Sequence, residues 1–293
     1  MNGCNEQIEC DFASKYDEVS VIIPTFNRQH TLLRAVNSVL QQTYPVHEIL
    51  ICDDGSEDHS KTIISGLNNA KIKWLDCGKN GRPSIPRNKG IKAASGEWVA
   101  FLDSDDEWLP NKIEIQINLL KETGSQAVSS NAFRIVGEMN KGPYLSYKSN
   151  TITFQNLLVA NNNICSSVMV RKILLEEISL FPEENKYKAI EDYVLWLRIS
   201  TRIDFAYINL PLLKYCDDPK SSIRINFTDI WELKKVVFTG FLEWIKKNEI
   251  ELQTEDEKKL AAISDEIIVK NKTSMWKVLK QRCIKLKNLF IEK

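Results

Sequence analysis

The chain has 293 residues, 43% of them apolar and 27% charged, which is enough apolar material for a sizeable core and excludes a disordered polymer. Its 39 basic and 39 acidic side chains balance, so the electrostatic footprint of a general nucleic-acid binder is missing. Seven cysteines (4, 10, 52, 77, 165, 216 and 283) are scattered, with no CxxC and no histidine placed to complete a zinc site; they read as reduced thiols of a cytosolic protein. In chain order, "MNGCNEQIECDFASKYD" is a polar tail (1–17), with acids where a signal peptide needs a basic and then an apolar run. "VSVII" (19–23) predicts a strand and "TLLRAVNSVLQQ" (31–42) has apolar residues at helical spacing. "EILICDD" (48–54) is a second strand, followed by a turn and the helical "HSKTIISGL". "KIKWLDC" (71–77) predicts a third strand, "PRNKGIKAAS" (86–95) a helix, and "EWVAFLD" (97–103) a fourth strand. This alternation predicts βαβ units in an α/β, doubly wound, mostly parallel sheet over residues 18–124.

Residues 125–225 continue with the strands "SQAVSSNAFRI", "ICSSVMVRK", "FAYI" and "LLKYC", and with the helices "FQNLLVANN" and "YVLWLRIST". From 226 to 293 three helical patterns, "FTDIWELKKVVFTGFLEWIKK", "EDEKKLAAISDEIIVKN" and "MWKVLKQRCIKLKNLFIE", form a C-terminal extension. No apolar stretch reaches the 18 residues a membrane span needs.

In a doubly wound sheet, ligands sit beyond the carboxyl ends of the strands. Asp53 and Asp54 end the second strand, and Asp103, Asp105 and Asp106 follow the fourth, so both acidic clusters are expected in one crevice. Like charges that close repel, and a divalent cation removes the repulsion. Oxygen ligands suit Mg²⁺ or Mn²⁺, and Mg²⁺ is usually held by one or two carboxylates together with substrate phosphates. The competing reading is that Ser104 or Asp106 caps the helix "PNKIEIQINLLKE".

"VSVIIPTFNR", "EILICDDGSED", "NGRPSIPRNKGIKAASGEWVAFLDSDDEW" and "AIEDYVLWLRI", in this order, resemble the family 2 inverting nucleotide-sugar glycosyltransferases of the GT-A fold, over roughly residues 18 to 223. The resemblance implies a UDP-sugar donor, a Mn²⁺ or Mg²⁺ cofactor and a glycan or lipid-linked saccharide acceptor. Under it, Pro24, Thr25, Phe26 and Asn27 form the loop that cradles the donor base. Asp54 reads the uracil edge with Asp53 beside it, and Arg87 and Asn88 lie near the base and diphosphate. Asp103 and Ser104 fall at the ribose, Asp103 and Asp105 are the acids of the metal-binding motif, and Asp106 shares either role. Asp192 is the implied catalytic base, with Glu191 as a possible substitute. Where many members have Tyr-Arg-x-His, this chain has "KYCDDPKSSI", which puts Asp218 near the position of a metal-binding histidine.

The chemistry accounts for these residue types independently. A departing diphosphate gathers negative charge that a metal can absorb, and the attacking hydroxyl needs one carboxylate to take its proton. One displacement inverts the anomeric centre, whereas retention needs two carboxylates acting in sequence. A non-catalytic sugar-nucleotide binder and a Mg²⁺-dependent phosphatase are the alternatives; the first would be expected to lose Asp105 or Asp192, and the second places its acids at the first strand. Arg82 reads equally as a diphosphate contact or as loop lining. His30, His47 and His59 read as surface residues, Trp108 and Trp196 as packing residues, and Cys77 and Cys165 as unreactive. Residues 274–291 carry an apolar stripe flanked by lysines, which suits either packing or peripheral contact with the inner face of the cell membrane.

Overall fold

The computed structural model describes residues 18–217 and 230–266. The N-terminal tail, Asp218 and the basic segment 274–291 lie outside the described residues.

The first half follows the predicted alternation. Strands β1 (Val19–Thr25), β2 (Glu48–Asp53), β3 (Ile72–Asp76) and β4 (Trp98–Phe101) alternate with helices α1 (Leu32–Leu40), α2 (Ser60–Ser65) and α3 (Ser84–Ala93). They lie side by side in the order β3-β2-β1-β4, all parallel. Successive residues of β1 point to opposite faces, and both faces are covered. Ile22 joins one core with Leu50, Phe101 and Ile91 of α3, while Val21 and Ile23 join a second core with Ala35 and Val36 of α1. Burial on both faces explains why β1, β2 and β4 read as apolar runs rather than as alternating patterns, whereas β3, at the edge, is only partly covered.

Helix α3 presses hard on the sheet at Gly90. A Cβ there would lie 2.7 Å from Cys52 Sγ and 2.8 Å from Ile22 Cγ2, so the glycine permits the approach that brings the preceding turn, with Arg87, to the end of the sheet. After β5 (Glu107–Trp108), helix α4 (Lys112–Thr123) ends at Gly124, whose φ of +66° suits a residue without a Cβ. Asn111 holds the N-cap position of α4, so neither Ser104 nor Asp106 caps that helix.

The second half adds β6 (Ala127–Val136), β7 (Met139–Pro143), β8 (Thr151–Ile152), α5 (Phe154–Val159), β9 (Met169–Arg171), α6 (Lys172–Glu177), α7 (Glu191–Ser200) and β10 (Phe205–Cys216). The sheet continues as β4-β9-β6-β10-β5, with β7 on β6 and β8 on β10. Strand β9 is antiparallel to β4 and β6, and β10 runs parallel to β6. Two sequence expectations change here. "ICSSVMVRK" opens as a 3₁₀ turn, Cys165–Ser167, because the Ser167 hydroxyl and N–H both return to the Ile164 carbonyl. "FAYI" and "LLKYC" belong to one strand, β10, which carries Pro211 through a register shift against β6, where a missing N–H is tolerated.

Helix α7 is buried along its whole length, with Trp196 fully enclosed. Helices α8 (Ile230–Lys247) and α9 (254–266) pack on it and on α5 through Phe238, Phe241, Trp244 and Leu260.

Candidate functional site

A cleft of about 480 Å³ opens at the carboxyl ends of β1, β2 and β4 and is closed on its far side by the start of α7 and the end of β10. Its walls include Pro24, Thr25, Phe26, Asp54, Arg87, Asp103, Ser104, Asp105, Glu191 and Asp192. One or more acids of each cluster, Asp54, Asp103 and Asp105, therefore share one space with the implied base Asp192.

The β1 and β2 ends are tied together by short polar side chains. Asn27, at φ +51°, donates its N–H to Ser56 Oγ at 2.9 Å and accepts the Glu57 N–H on Oδ1 at 2.9 Å. Asp53 Oδ1 accepts the Ser56 N–H at 3.0 Å. Asn27 and Asp53 thus shape the loops from outside the cleft lining. Asp54 faces the cleft and also organises the next loop. Its Oδ1 accepts the Asn80 N–H at 2.8 Å and the Asn80 side-chain amide at 2.7 Å, and its Oδ2 accepts the Gly81 N–H at 2.7 Å. Phe26 stands 44% exposed at the mouth, an aromatic face with nothing stacked on it among the described residues.

Arg87 is the centre of the buried electrostatics. Its guanidinium donates to Glu191 Oε1 at 2.7 Å and to Asp103 Oδ1 at 2.6 Å, which joins the end of β4 to the first turn of α7. Burial alone would favour the neutral guanidine, but the carboxylates hold its proton and its pKa lies well above the ordinary value. Burial pushes the Glu191 carboxyl up, with Arg87 opposing. Asp192, beside it, accepts the Tyr193 N–H on Oδ1 at 2.7 Å and the Asn161 amide on Oδ2 at 3.3 Å.

Two expected cleft residues stand behind the wall instead. Asn88 is buried, with its amide donating to the Phe181 carbonyl at 2.9 Å and to Glu183 at 2.8 Å, while its Oδ1 accepts the Phe181 N–H at 3.0 Å. Asp106 is 1% exposed, accepting the Ser166 hydroxyl at 2.5 Å and the Cys216 N–H at 2.8 Å. These positions correct the direct nucleotide contact expected of Asn88 and the ligand role expected of Asp106: a full set of intramolecular bonds leaves each facing protein. Burial, then the neighbouring Asp105 and Asp103, push the Asp106 carboxyl well up. Ser166 also accepts the Asp103 N–H at 3.0 Å, so the 3₁₀ turn supports the loop that carries Asp103 and Asp105.

Asp105 is partly open to solvent, 3.4 Å from the Arg28 guanidinium. Burial and Asp103 raise its carboxyl, with Arg28 pulling the other way. Among the described residues no three His, Cys, Asp or Glu side chains form a ready-made metal cage. Two like-charged carboxylates on one short turn nonetheless fit a Mg²⁺-type ion, which takes few protein ligands and completes its shell with phosphate and water.

Sequence reasoning gave no role to Arg28, although it stands in the quoted "TFNR", and it passed over Lys188 and Ser166 entirely. Ser166 could have been suspected from an apolar run interrupted by two serines; Lys188 carried no local signal. His30, His47 and His59 are exposed, Trp108 and Trp196 are buried, and burial pushes the Cys165 thiol well up.

Residues 20–178 match the family model for glycosyl transferase family 2. The chain belongs to that family. The glycosyltransferase is 35% identical over 191 residues to WfgD of Escherichia coli, a UDP-Glc:alpha-D-GlcNAc-diphosphoundecaprenol beta-1,3-glucosyltransferase, covering 65% of this chain and 73% of the relative. WfaP of Escherichia coli, named for the same reaction, is 33% identical over 63% of this chain and 70% of its own. Other relatives, from Rickettsia, are longer, and the enzyme spans only 26–32% of them. The crystal structure of S. aureus TarS 1-349 in complex with UDP-GlcNAc superposes with a TM-score of 0.68 at 22% identity, covering 84% of this chain and 71% of that chain, which establishes the GT-A fold.

Proposed function

We propose that the enzyme transfers a sugar from a UDP-sugar to a hydroxyl of a lipid-linked diphospho-saccharide by a single, inverting displacement. The observation that carries the proposal is that the Asp192 carboxylate lines the same cleft as Asp103 and Asp105, the first side suited to a base and the second to a diphosphate. The donor and acceptor classes draw support from the names of WfgD and WfaP.

Pro24, Thr25 and Phe26 form the nucleotide wall, with Phe26 available to stack on a base and Asp54 holding the 78–81 loop against it. Asp103 and Ser104 face the ribose. Asp105, with Asp103, would hold Mn²⁺ or Mg²⁺, whose charge would stabilise the leaving diphosphate. Arg82, whose buried Nε has no hydrogen-bond partner, is placed to add a donor to that diphosphate. Asp192 sits in the N-terminal turn of α7, where peptide dipoles favour negative charge, and takes the proton of the acceptor hydroxyl as that oxygen attacks the anomeric carbon. Glu191 is held by Arg87 and serves as its counter-ion. No described helix is long and apolar enough to cross a membrane; a lipid-linked acceptor would bring the enzyme to a bilayer surface, with 274–291 the candidate contact.

A screen of UDP-sugars for donor hydrolysis, with Mn²⁺ or with a chelator, tests the donor and metal together, and Asp105→Ala should remove the metal-dependent part. Equal rates in chelator would overturn the metal role. NMR of the product's anomeric proton tests the displacement: an α-linked product from an α-linked donor would overturn it.

A further inference from the structure

Four cations line the cleft: Arg28, Arg82, Arg87 and Lys188. Arg28 faces Asp105, and Arg87 is held between Asp103 and Glu191. Arg82 directly follows Gly81, whose N–H is bonded to Asp54, and so belongs to the nucleotide side. Lys188 is different. It enters the cleft from the acceptor side, four residues before Asp192, and among the described residues its ammonium has no ion pair or hydrogen bond.

Its placement is held by its neighbours. Lys186 pairs with Glu243 of α8 at 3.2 Å. Tyr187 is 2% exposed and packs so tightly under α8 that a Cβ on Gly240 would lie 1.9 Å from its hydroxyl. Ala189 then turns the chain with a φ of +71°, a left-handed conformation that a non-glycine residue adopts at a cost. Lys186 and Tyr187 are thus committed to α8, and Lys188 is the cation this anchored turn presents to the cleft.

We infer that Lys188 recognises the anionic diphosphate of the acceptor, an assignment that rests on the lipid-linked diphospho-saccharide reading above. In such an acceptor the attacked hydroxyl and the diphosphate are carried by different carbons of one pyranose. When the hydroxyl reaches Asp192, the diphosphate lies one ring-width away, in a cleft lined by Asp103, Asp105, Glu191, Asp192 and Asp217. An unpaired ammonium there offsets that repulsion and acts as a point-charge phosphate ligand. It also gives the enzyme a means of preferring a diphospho-linked sugar to a neutral glycoside.

The experiment compares two acceptors in the full-length enzyme: GlcNAc α-linked to a diphosphate bearing a short alkyl chain, and the uncharged alkyl α-glycoside of GlcNAc. Wild type should favour the charged acceptor. Lys188→Gln should shrink that preference, measured as the ratio of kcat/KM values, by about 10–100-fold, the worth of one charge-assisted hydrogen bond, with the loss in KM. Lys188→Arg should restore most of it. Equal loss with both acceptors, or an unchanged ratio, would overturn the assignment, as would a wild type that does not distinguish them. A wild type that hydrolyses its donor yet transfers to neither acceptor would instead overturn the acceptor reading itself, and the role of Lys188 with it.

Discussion

Arg87→Met removes the clasp between the two halves of the site, and its cost can be worked from the two arms separately. The arm to Glu191 is buried at both ends, each side chain 5% exposed, whereas the Asp103 carboxylate on the other arm is 32% exposed. Losing one partner of a buried ion pair typically costs about 3–5 kcal/mol, because the remaining charge has no water to return to. The half-open arm adds little, about 0–1 kcal/mol. The expected loss is therefore about 3–5 kcal/mol, nearly all of it from stranding Glu191. Glu191→Gln alone should also destabilise, but the double variant Arg87→Met with Glu191→Gln should recover part of the sum, a coupling of about 1–3 kcal/mol. Arg87→Lys should recover little, since an ammonium cannot span both carboxylates as the guanidinium fork does. Guanidinium chloride unfolding of wild type and the four variants measures this. A loss below about 1 kcal/mol for Arg87→Met, or strict additivity in the cycle, would refute the argument that this pair clamps α7 to β4.

Asp192→Asn keeps the shape of the base and removes its basicity, so transfer should fall by roughly 10²-fold or more at little change in UDP affinity; Glu191→Gln should lose stability first, and a dead Glu191→Gln beside an active Asp192→Asn would reverse the assignment. Ser166→Ala takes a hydroxyl from Asp106 and an acceptor from the Asp103 N–H, so it should cost about 1–3 kcal/mol in chemical unfolding and weaken metal-dependent UDP binding, measured by calorimetry; normal binding would show that the Asp103–Asp105 turn does not need this support. Glu48 is the pH reporter: burial alone would raise its carboxyl, but Lys73 and the donors of Ser95 and Ser20 bring it down to about 2 from 4.5. Because the folded-state value is depressed, its contribution to stability is present above pH 4.5 and lost as pH falls toward 2, so the acid limb of the unfolding profile should flatten in Glu48→Gln.

The order of strands and helices up to β4 was legible because β1, β2 and β4, buried on both faces, read as apolar runs and α1 has an apolar face; the short strand β5 before α4 gave no such run. The second half was harder for physical reasons. Pro211 and the polar residues before it look like a strand break, yet the ladder absorbs them in a register shift. Two serines and a cysteine look like strand, yet the Ser167 hydroxyl and N–H both bond the Ile164 carbonyl and fold the segment into a turn. The acidic motifs located the cleft, since their strand-end position is a local property. Which acid faces the ligand is a tertiary property. Asp105 and Asp106 are adjacent in the chain, and only the approach of Ser166 and the Cys216 N–H decides that the second is enclosed.

That division bears on how the site tolerates its own charge. Asp54, Asp103, Asp105, Glu191, Asp192 and Asp217 all line one cleft. Several of them are neutralised within the protein, Glu191 and Asp103 by Arg87 and Asp217 by Arg134, while Asp54 spends its charge on the backbone of the 78–81 loop. Asp105 has a longer, partly exposed contact with Arg28, and Asp192 accepts the Tyr193 N–H and the Asn161 amide. Glu191, bound to Arg87, and Asp217, bound to Arg134, thus hold the cleft together, while Asp105, on its longer contact, is the acid the proposed chemistry would turn toward a cation and a leaving diphosphate. A site built this way leaves ligand capacity on Asp105 and commits the charges of Glu191 and Asp217 to the scaffold.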